Sequence, residues 1–172
     1  KKIKNLEKEV FKISKKEFNI ASPKQLGEII YNDLKIAGLK KTKKGSFATS
    51  ASVLEDLAFK GHKFPKIVLD WRQVSKLKNT YSDSLPEHIN PNTKRVHTSF
   101  LLAATTTGRL ASSDPNLQNI PIKSEDGKDI RKAFKAQKGH LLISADYNQI
   151  EMRILADLAD VKELKKAFKN NE

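Results

Sequence analysis

The stretch Asp146-Tyr147-Asn148-Gln149-Ile150-Glu151-Met152-Arg153 follows closely on the apolar run Leu141-Leu142-Ile143. The apolar run predicts a strand over residues 141–146 that ends in the carboxylate of Asp146. A helix predicted over residues 149–159 then places a second carboxylate, that of Glu151, on its first turn. A corner of this kind can hold a divalent metal beside a bound nucleotide, because magnesium prefers carboxylate oxygens.

The composition excludes several classes of protein. The 172 residues, of which 38% are hydrophobic, suffice for one ordinary domain or two small lobes. The absence of cysteine excludes disulfides and thiolate metal sites. The four histidines have no paired spacing, which argues against a histidine zinc site. No apolar stretch is long enough for a membrane span or a signal peptide, so we expect a soluble, intracellular protein.

The charge of the chain favours a polyanionic partner. The formal net charge is +13, and residues 1–48 alone hold 13 Lys against five acidic residues. A basic surface of this size is typical of proteins that bind DNA or RNA. Lys-rich helices that are merely well solvated remain the alternative explanation.

The first 90 residues predict a helical lobe. Apolar residues at positions 3, 6, 10 and 13 recur at helical spacing. Ser22 can cap a second helix, with Pro23 at its first position and Gln25 closing a capping box. We expect that helix to stop at Gly38. A short helix follows Ser50, and a longer one is predicted from residue 65 to residue 86.

The remaining residues predict strands and helices together. Residues 95–102 are rich in β-branched and aromatic side chains and predict a strand, which residues 103–107 continue or pair with. Gly108 breaks this pattern, and residues 111–121 read as a loop. Short helices are predicted over residues 130–136 and 161–170, besides the strand and helix around Asp146. The expected fold is therefore α+β, a helical lobe followed by a small, partly antiparallel sheet with helices.

The loop of residues 111–121 is rich in amides and hydroxyls. Such groups are costly to bury unless they form hydrogen bonds, so a solvated surface loop is one interpretation. A polar platform facing the DNA minor groove is the other. Every base pair presents acceptors in that groove, and contacts to them need not depend on the base sequence.

Two long motifs resemble those of family A DNA polymerases, the bacterial DNA polymerase I type. The motif Thr-Gly-Arg-Leu-Ala-Ser-Ser-Asp-Pro-Asn-Leu-Gln-Asn-Ile-Pro (107–121) resembles the palm segment that precedes the first carboxylate motif, and residues 146–153 resemble that motif itself. Residues 22–27 and 77–81 resemble the thumb. The resemblance implies a thumb over residues 1–90 and the first part of a palm over residues 91–172. It also implies template-directed addition of a deoxynucleotide to a primer 3′ end, in DNA replication and repair.

The resemblance assigns the metal and nucleotide ligands. Asp146 would bind both catalytic Mg²⁺ ions, with the backbone carbonyl of Tyr147 helping on one of them. Glu151 would face the sugar of the incoming deoxynucleoside triphosphate and exclude a 2′-hydroxyl, and Gln149 would line the same pocket. A turn or cap role for Asp146, and a capping box formed by Asn148 and Glu151, are the structural alternatives.

The resemblance also assigns contacts to the primer-template duplex. Arg109 would reach the minor groove near the primer terminus, with a surface ion pair as the alternative, and Asn116 and Gln118 would contact the duplex behind it. One face of a thumb helix would contact the DNA backbone or minor groove. The alternative is that this face is simply solvated. Its contact residues would be Arg72, Lys76, Asn79 and Thr80. In the expected thumb tip, Lys41, Lys43 and Lys44 are either bound or solvated. Arg153 is expected to be structural and to tie its helix to neighbouring acidic groups.

The family's nucleotide-binding fingers motif and its second carboxylate motif do not occur in the sequence. We therefore expect a fragment that binds DNA but is inactive by itself. We expect a monomer, in the bacterial cytoplasm and associated with the nucleoid, which could self-associate through an exposed sheet edge. A DNA-binding module without catalysis and a single-subunit RNA polymerase are the alternatives. Glu151 and the loop of residues 107–121 argue against the RNA polymerase.

Overall fold

The chain forms two units, each built around helices. The computed structural model describes residues 1–36, 45, 47–122 and 124–170. The chain divides into Lys1–Ala133 and Phe134–Glu172. Helices dominate, and the described strands form one small antiparallel sheet in the first unit, which confirms the expected α+β class. The expected boundary near residue 90 separates a thumb from a palm and is a different division from that of the two units. It stays a prediction.

Helix α1, Lys2–Ser14, confirms the first predicted helix. It ends because Lys15 adopts a left-handed conformation, with φ of 56°. Val10 lies on its inner face and is fully buried. The indole Nε1 of Trp71 donates a hydrogen bond to Glu7 Oε1 at 3.2 Å, which ties α1 to the helix that carries Trp71.

Helix α2, Pro23–Glu28, begins where the sequence predicts and continues as a π-helical turn over Ile29–Asp33. Ser22 caps it, since its Oγ accepts a hydrogen bond from Gln25 N at 3.4 Å. The second half of the expected capping box is wrong. Gln25 Oε1 was expected to accept a hydrogen bond from Ser22 N, but it accepts one from Asn19 N at 2.7 Å. Ser22 N instead donates to the carbonyl oxygen of Asn19.

Three further helical segments complete the helical part of the first unit. Helix α3, Ala51–Phe59, ends just before Gly61, whose φ of 90° is left-handed. Helix α4, Lys63–Leu77, continues through a π-helical turn over Lys78–Asp83 into helix α5, Ser84–Glu87. The predicted long helix is thus confirmed to within two residues at either end.

The core of the first unit lies between these helices. Burial of one large apolar side chain contributes roughly 1.5–3 kcal/mol, so this cluster holds α4 firmly in place. The cluster comprises Val10, Ile20, Leu26, Ile29, Ile30, Leu54, Leu57, Phe64, Ile67 and Val68.

The sheet differs from its prediction. Strand β1, Ser99–Leu101, lies within the expected residues 95–102, but its partner is β2, Ala111–Ser113, and not residues 103–107. The pairing is antiparallel, with Ser99 opposite Ser113. Residues 102–110 form the connection, in which Gly108 has a φ of 73°. The prediction failed because Ala and Ser have a weak strand preference, so pairing rather than propensity defines β2.

Helix α6, Glu125–Lys132, lies earlier than the predicted residues 130–136. Ser124 caps it by accepting a hydrogen bond from Gly127 N at 3.1 Å, and acidic residues occupy its first turn. Both are standard signals for a helix start. Asp126 also accepts a hydrogen bond from Lys2 Nζ at 2.6 Å, which ties α6 to α1.

The second unit contains helix α7, Ile150–Leu158, and helix α8, Lys162–Asn170, both close to their predicted positions. The strand expected over residues 141–146 is wrong. Leu141 and Ile143 are 88% and 89% exposed, and no described residue of this unit is in a strand. An apolar run becomes a strand only where a neighbouring strand accepts its backbone hydrogen bonds. No described helix is long and apolar enough to cross a membrane.

Candidate nucleic-acid interface and metal ligand

The long helix α4 with its π-helical turn presents an exposed polar face. Lys76, Asn79 and Thr80 are exposed, whereas the next residue, Tyr81, is buried. The structure therefore brings three of the four residues expected to follow DNA onto an accessible part of the helix. The expected contacts themselves stay a prediction.

Arg72, the fourth member of this set, is engaged within the protein. Its Nη1 donates a hydrogen bond to the carbonyl oxygen of Thr49 at 2.6 Å, and partial burial lowers the pKa of its guanidinium. Arg72 lines a shallow groove together with Phe47, Trp71 and Asn79. A DNA contact in this groove would use a guanidinium that is already fixed in place.

A hydrogen-bond network holds residues 111–121, expected to be a loop, from within. The first three of them, Ala111–Ser113, are strand β2 and only the rest is loop. Thr98 Oγ1 lies 2.6 Å from Ser112 Oγ and 2.9 Å from the carbonyl oxygen of Pro115, and Leu117 N lies 3.0 Å from Ser112 Oγ. One order of protons satisfies all three contacts: Leu117 N–H donates to Ser112, Ser112 to Thr98, and Thr98 to Pro115. Ser112 is buried, whereas Asn116, Gln118 and Asn119 are exposed, so the segment is ordered from within and still presents its amides to solvent. The minor-groove contact stays a prediction.

The amides at the exposed rim of this loop are oriented by the same network. Gln118 Nε2 donates to the carbonyl oxygen of Leu110 at 3.0 Å, and Asn116 Oδ1 accepts from Gln118 N at 3.0 Å. Both side chains are exposed, as is Arg109, whose carbonyl oxygen accepts from Thr105 Oγ1 at 2.8 Å. All three predicted contact residues of the loop therefore lie on its accessible surface.

Two side chains from outside the loop anchor its last residues. The Tyr81 hydroxyl donates a hydrogen bond to the carbonyl oxygen of Asn119. Arg131 Nε and Nη2 donate to the carbonyl oxygens of Pro121 and Ile120 at 3.2 and 3.3 Å. The sequence pattern did not identify Tyr81, Arg131 or the network around Thr98, because each acts on a backbone carbonyl, and such contacts leave no sequence motif.

The predicted metal ligand lies in the second unit. Asp146 is exposed, and it is followed by Tyr147, which is 81% exposed. Gln149 is the N-cap residue of α7 in a left-handed conformation, with φ of 53°. Glu151 lies on the first turn of that helix, as expected. The alternative in which Asn148 caps the helix is wrong, because the helix begins one residue later.

Arg153 is structural, as expected, although its partners are not acidic. Its Nε donates to the carbonyl oxygen of Asn148 at 2.9 Å, and its guanidinium lies over the ring of Phe168. Arg153 thus fixes the backbone two residues after Asp146 to the body of α7.

No group of three acidic or histidine side chains that could hold a metal ion occurs among the described residues. A single carboxylate and a backbone carbonyl are hard oxygen donors of the kind that divalent magnesium takes, but they are fewer than its six ligands. The predicted helix stop at Gly38 is wrong, because the π-helical turn that continues α2 already ends at Asp33 and Lys35 is left-handed, with φ of 49°. Gly38 itself and the lysines at positions 41, 43 and 44 lie outside the described residues.

Comparisons with known proteins match the whole chain. The family model for DNA polymerase family A matches residues 1–172. A DNA polymerase I of Rhizobium leguminosarum is 55% identical over 96% of this chain and 16% of its own length. A DNA polymerase I of Caldicellulosiruptor bescii is 51% identical over 99% of this chain and 20% of its own length. The chain thus spans about a fifth or less of these curated relatives.

A solved structure has the same fold. It is described as the POL domain of Pol1 from M. smegmatis in complex with DNA primer-template and dNTP. It is 38% identical, covers 99% of this chain and 30% of its own chain, and superposes with a TM-score of 0.87. With the family match over all 172 residues, these relationships show that the chain belongs to DNA polymerase family A.

Proposed function

We propose that the chain is the part of a template-directed DNA polymerase that binds the primer-template duplex and supplies one metal-binding aspartate. The observation that carries this proposal is the likeness, over 99% of the chain, to a polymerase domain solved with DNA primer-template and dNTP. In this proposal residues 1–90 are the thumb and residues 91–172 the first part of the palm. The bacterial cytoplasm, with association to the nucleoid, is the corresponding location.

The loop of the first unit contacts the minor groove of the duplex. Arg109, Asn116 and Gln118 are exposed, and their amides and guanidinium can donate to the purine N3 and pyrimidine O2 acceptors that every base pair offers. Because the internal network already orders the loop, little conformational entropy is lost when it binds. Contacts of this kind do not depend on sequence, as a polymerase requires.

The exposed face of α4 and its π-helical turn follows the DNA backbone. Lys76 places a positive charge there, and Asn79 and Thr80 add hydrogen-bond donors. Phosphate contacts of this kind position a protein on the duplex and carry no sequence information. Arg72, fixed by Thr49, adds a second cation at the edge of the same face.

Asp146 and the carbonyl of Tyr147 are the ligands that this chain offers to the catalytic metal ions. Family A DNA polymerases are generally dependent on divalent metals, and we propose two Mg²⁺ ions. Such ions stabilise the charge that develops at the attacking and leaving oxygens in phosphoryl transfer. Asp146 is exposed, so its carboxylate is accessible to a metal bound with a nucleotide.

The first turn of α7 binds the deoxynucleoside triphosphate. Glu151 lies against the sugar and leaves no room for a 2′-hydroxyl, and Gln149 lines the same pocket. Gln149 is the N-cap residue of this helix in a left-handed conformation, and Glu151 follows the metal ligand Asp146 by five residues along the chain.

The proposed DNA binding is tested by measuring the affinity for a labelled primer-template duplex with fluorescence anisotropy at a series of salt concentrations. We expect saturable binding whose log K falls with log[salt] by about 0.9 per phosphate contacted. Lys76→Ala should reduce this slope by about 0.9, whereas Lys66→Ala, an equal charge change elsewhere on α4, should leave it unchanged. Absence of binding at low salt would contradict the proposal.

A chimera tests the catalytic role. The matching segment of the Caldicellulosiruptor bescii polymerase is replaced by this chain, and magnesium-dependent primer extension is measured. Asp146→Asn should abolish extension while duplex binding is kept, and Asp129→Asn, which alters an exposed carboxylate paired with Lys132, should have no effect. Full activity of Asp146→Asn would indicate a DNA-binding module whose aspartate is not needed for catalysis. The 172-residue chain alone should not extend a primer.

A further inference from the structure

One buried hydroxyl joins the two surfaces that we assign to duplex binding. Tyr81 is 6% exposed and follows directly on Asn79 and Thr80. Its hydroxyl donates to the carbonyl oxygen of Asn119, the residue directly after Gln118. The hydrogen bond therefore lies within one or two residues of a proposed DNA contact on either side.

We propose that Tyr81 is a positioning residue that holds the helix face and the loop together as one duplex-binding surface. The inference rests on the proposed function, since it concerns the same partner, primer-template DNA. Tyr81 does not touch DNA in this proposal. It acts through the backbone of Asn119, and thereby on the side chains of Asn116 and Gln118.

The other anchors of the loop extend from other elements than the helix face with Lys76, Asn79 and Thr80. Thr98 and Ser112 hold the loop to itself and to the neighbouring strand β1. Arg131 holds the carbonyls of Ile120 and Pro121, but it extends from α6. The Tyr81 hydrogen bond links the loop directly to the helix that carries Lys76, Asn79 and Thr80.

The burial of Tyr81 makes this link rigid. When an exposed phenol breaks its hydrogen bond, water takes the place of the lost partner and little free energy is lost. A buried hydroxyl has no water to replace its acceptor, so breaking the hydrogen bond is costly in free energy. Burial also raises the pKa of the Tyr81 hydroxyl above its ordinary value of 10.0, so the phenol is protonated and able to donate well above neutral pH. The distance between the two DNA-contacting surfaces is therefore set before the duplex arrives.

The test is a double-mutant cycle on duplex binding by the protein. Tyr81→Phe removes the hydroxyl and keeps the ring, and should weaken binding of a labelled primer-template duplex about three- to tenfold. When Tyr81→Phe is added to the double variant Asn116→Ala/Gln118→Ala, the dissociation constant for the duplex should change less than about twofold. The loop contacts on which Tyr81 acts are already absent from that variant. The salt slope should stay that of the wild type, since no cation is removed.

The matched control is Ser14→Ala. Ser14 is also 6% exposed, and its Oγ donates to the carbonyl oxygen of Lys16 at 2.7 Å, at the far end of α1. It should lower the thermal stability about as much as Tyr81→Phe does and leave duplex binding unchanged. All binding is measured at a temperature where circular dichroism shows each variant folded.

The outcomes separate the two proposals. If the wild-type protein binds no duplex, or if Asn116→Ala/Gln118→Ala binds as the wild type does, the proposed duplex contacts of the loop are wrong. If the wild type binds and the loop variant is weakened, but Tyr81→Phe binds normally or has the same effect in both backgrounds, the positioning role is wrong and the duplex contacts stand.

Discussion

The guanidinium of Arg153 lies over the ring of Phe168, with its Cζ 4.7 Å from the ring centroid. Arg153 belongs to α7 and Phe168 to α8, so the contact joins the two helices of the second unit. The same side chain donates from Nε to the carbonyl oxygen of Asn148. One arginine thus fixes both the packing of the helix pair and the chain just after Asp146.

Arg153→Gln should loosen this helix pair. A cation–π contact at a partly exposed site contributes about 0.5–1 kcal/mol, and the hydrogen bond to Asn148 adds about as much. We expect faster amide hydrogen exchange throughout α7 and α8. Lys166→Gln, which removes the same charge from an exposed position of α8, should leave exchange unchanged. Equal exchange in the two variants would show that Arg153 contributes only its charge.

Thr98→Val should destabilise the first unit without changing the size of the side chain. The valine cannot donate to Pro115 or accept from Ser112, which leaves a buried hydroxyl and a carbonyl without this partner. The expected loss is about 1–3 kcal/mol in the free energy of unfolding, measured by urea denaturation.

Thr106→Val is the control for Thr98→Val, since Thr106 is an exposed threonine of the same β1–β2 connection. Ser112→Ala should be less than additive with Thr98→Val, because both belong to one network. Full additivity of the two changes would show that Thr98 and Ser112 do not act in one network.

The sequence predicted the helices well, because their signals are local. Periodic apolar positions and the Ser22–Pro23 start are contained in a few residues, and α1, α2 and α4 formed where these signals lie. The start of α6 has equally local signals, the cap Ser124 and an acidic first turn, but the helix was predicted over residues 130–136.

The features that depend on distant residues could not be predicted. Strand β2 exists because Ala111–Ser113 pairs with β1, and its composition gives no sign of this. The expected strand before Asp146 failed for the converse reason, since its apolar residues have no strand partner among the described residues. The motif around Asp146 indicated the chemistry, but the anchors Tyr81 and Arg131 became visible only in the structure.

Two tyrosines, the buried Tyr81 and the partly buried Tyr31, should make the protein sensitive to alkali. Burial raises the pKa of Tyr31 and of Tyr81 above the value of 10.0 that an unfolded chain has. Above about pH 10 the unfolded chain therefore releases these protons first and binds fewer of them than the folded state does, so stability falls as the pH rises towards the folded pKa. Below that pH both states hold the protons and the effect disappears.

Urea denaturation between about pH 9 and about pH 11.5 measures this slope. The variant Tyr31→Phe/Tyr81→Phe should be less stable at neutral pH but lose less stability on going to high pH. Ser14→Ala loses a comparable hydrogen bond and no titrating group, and its slope should match the wild type. A steeper alkaline loss in the double variant would contradict the sign derived from burial.

Glu151→Ala should reduce discrimination between deoxyribonucleotides and ribonucleotides. In the chimeric polymerase, removal of this side chain from the first turn of α7 opens space beside the sugar, where a 2′-hydroxyl can then fit. Adding or removing one small group in a binding pocket typically changes selectivity about 10- to 200-fold, and we expect ribonucleotide incorporation to rise within that range. Single-nucleotide extension with matched dNTP and rNTP gives the ratio of kcat/KM directly. Glu163→Ala removes the equivalent carboxylate from the first turn of α8 and should leave the ratio unchanged. If Glu151→Ala lowers both rates equally, the side chain supports the helix start or the metal ligand and does not select the sugar.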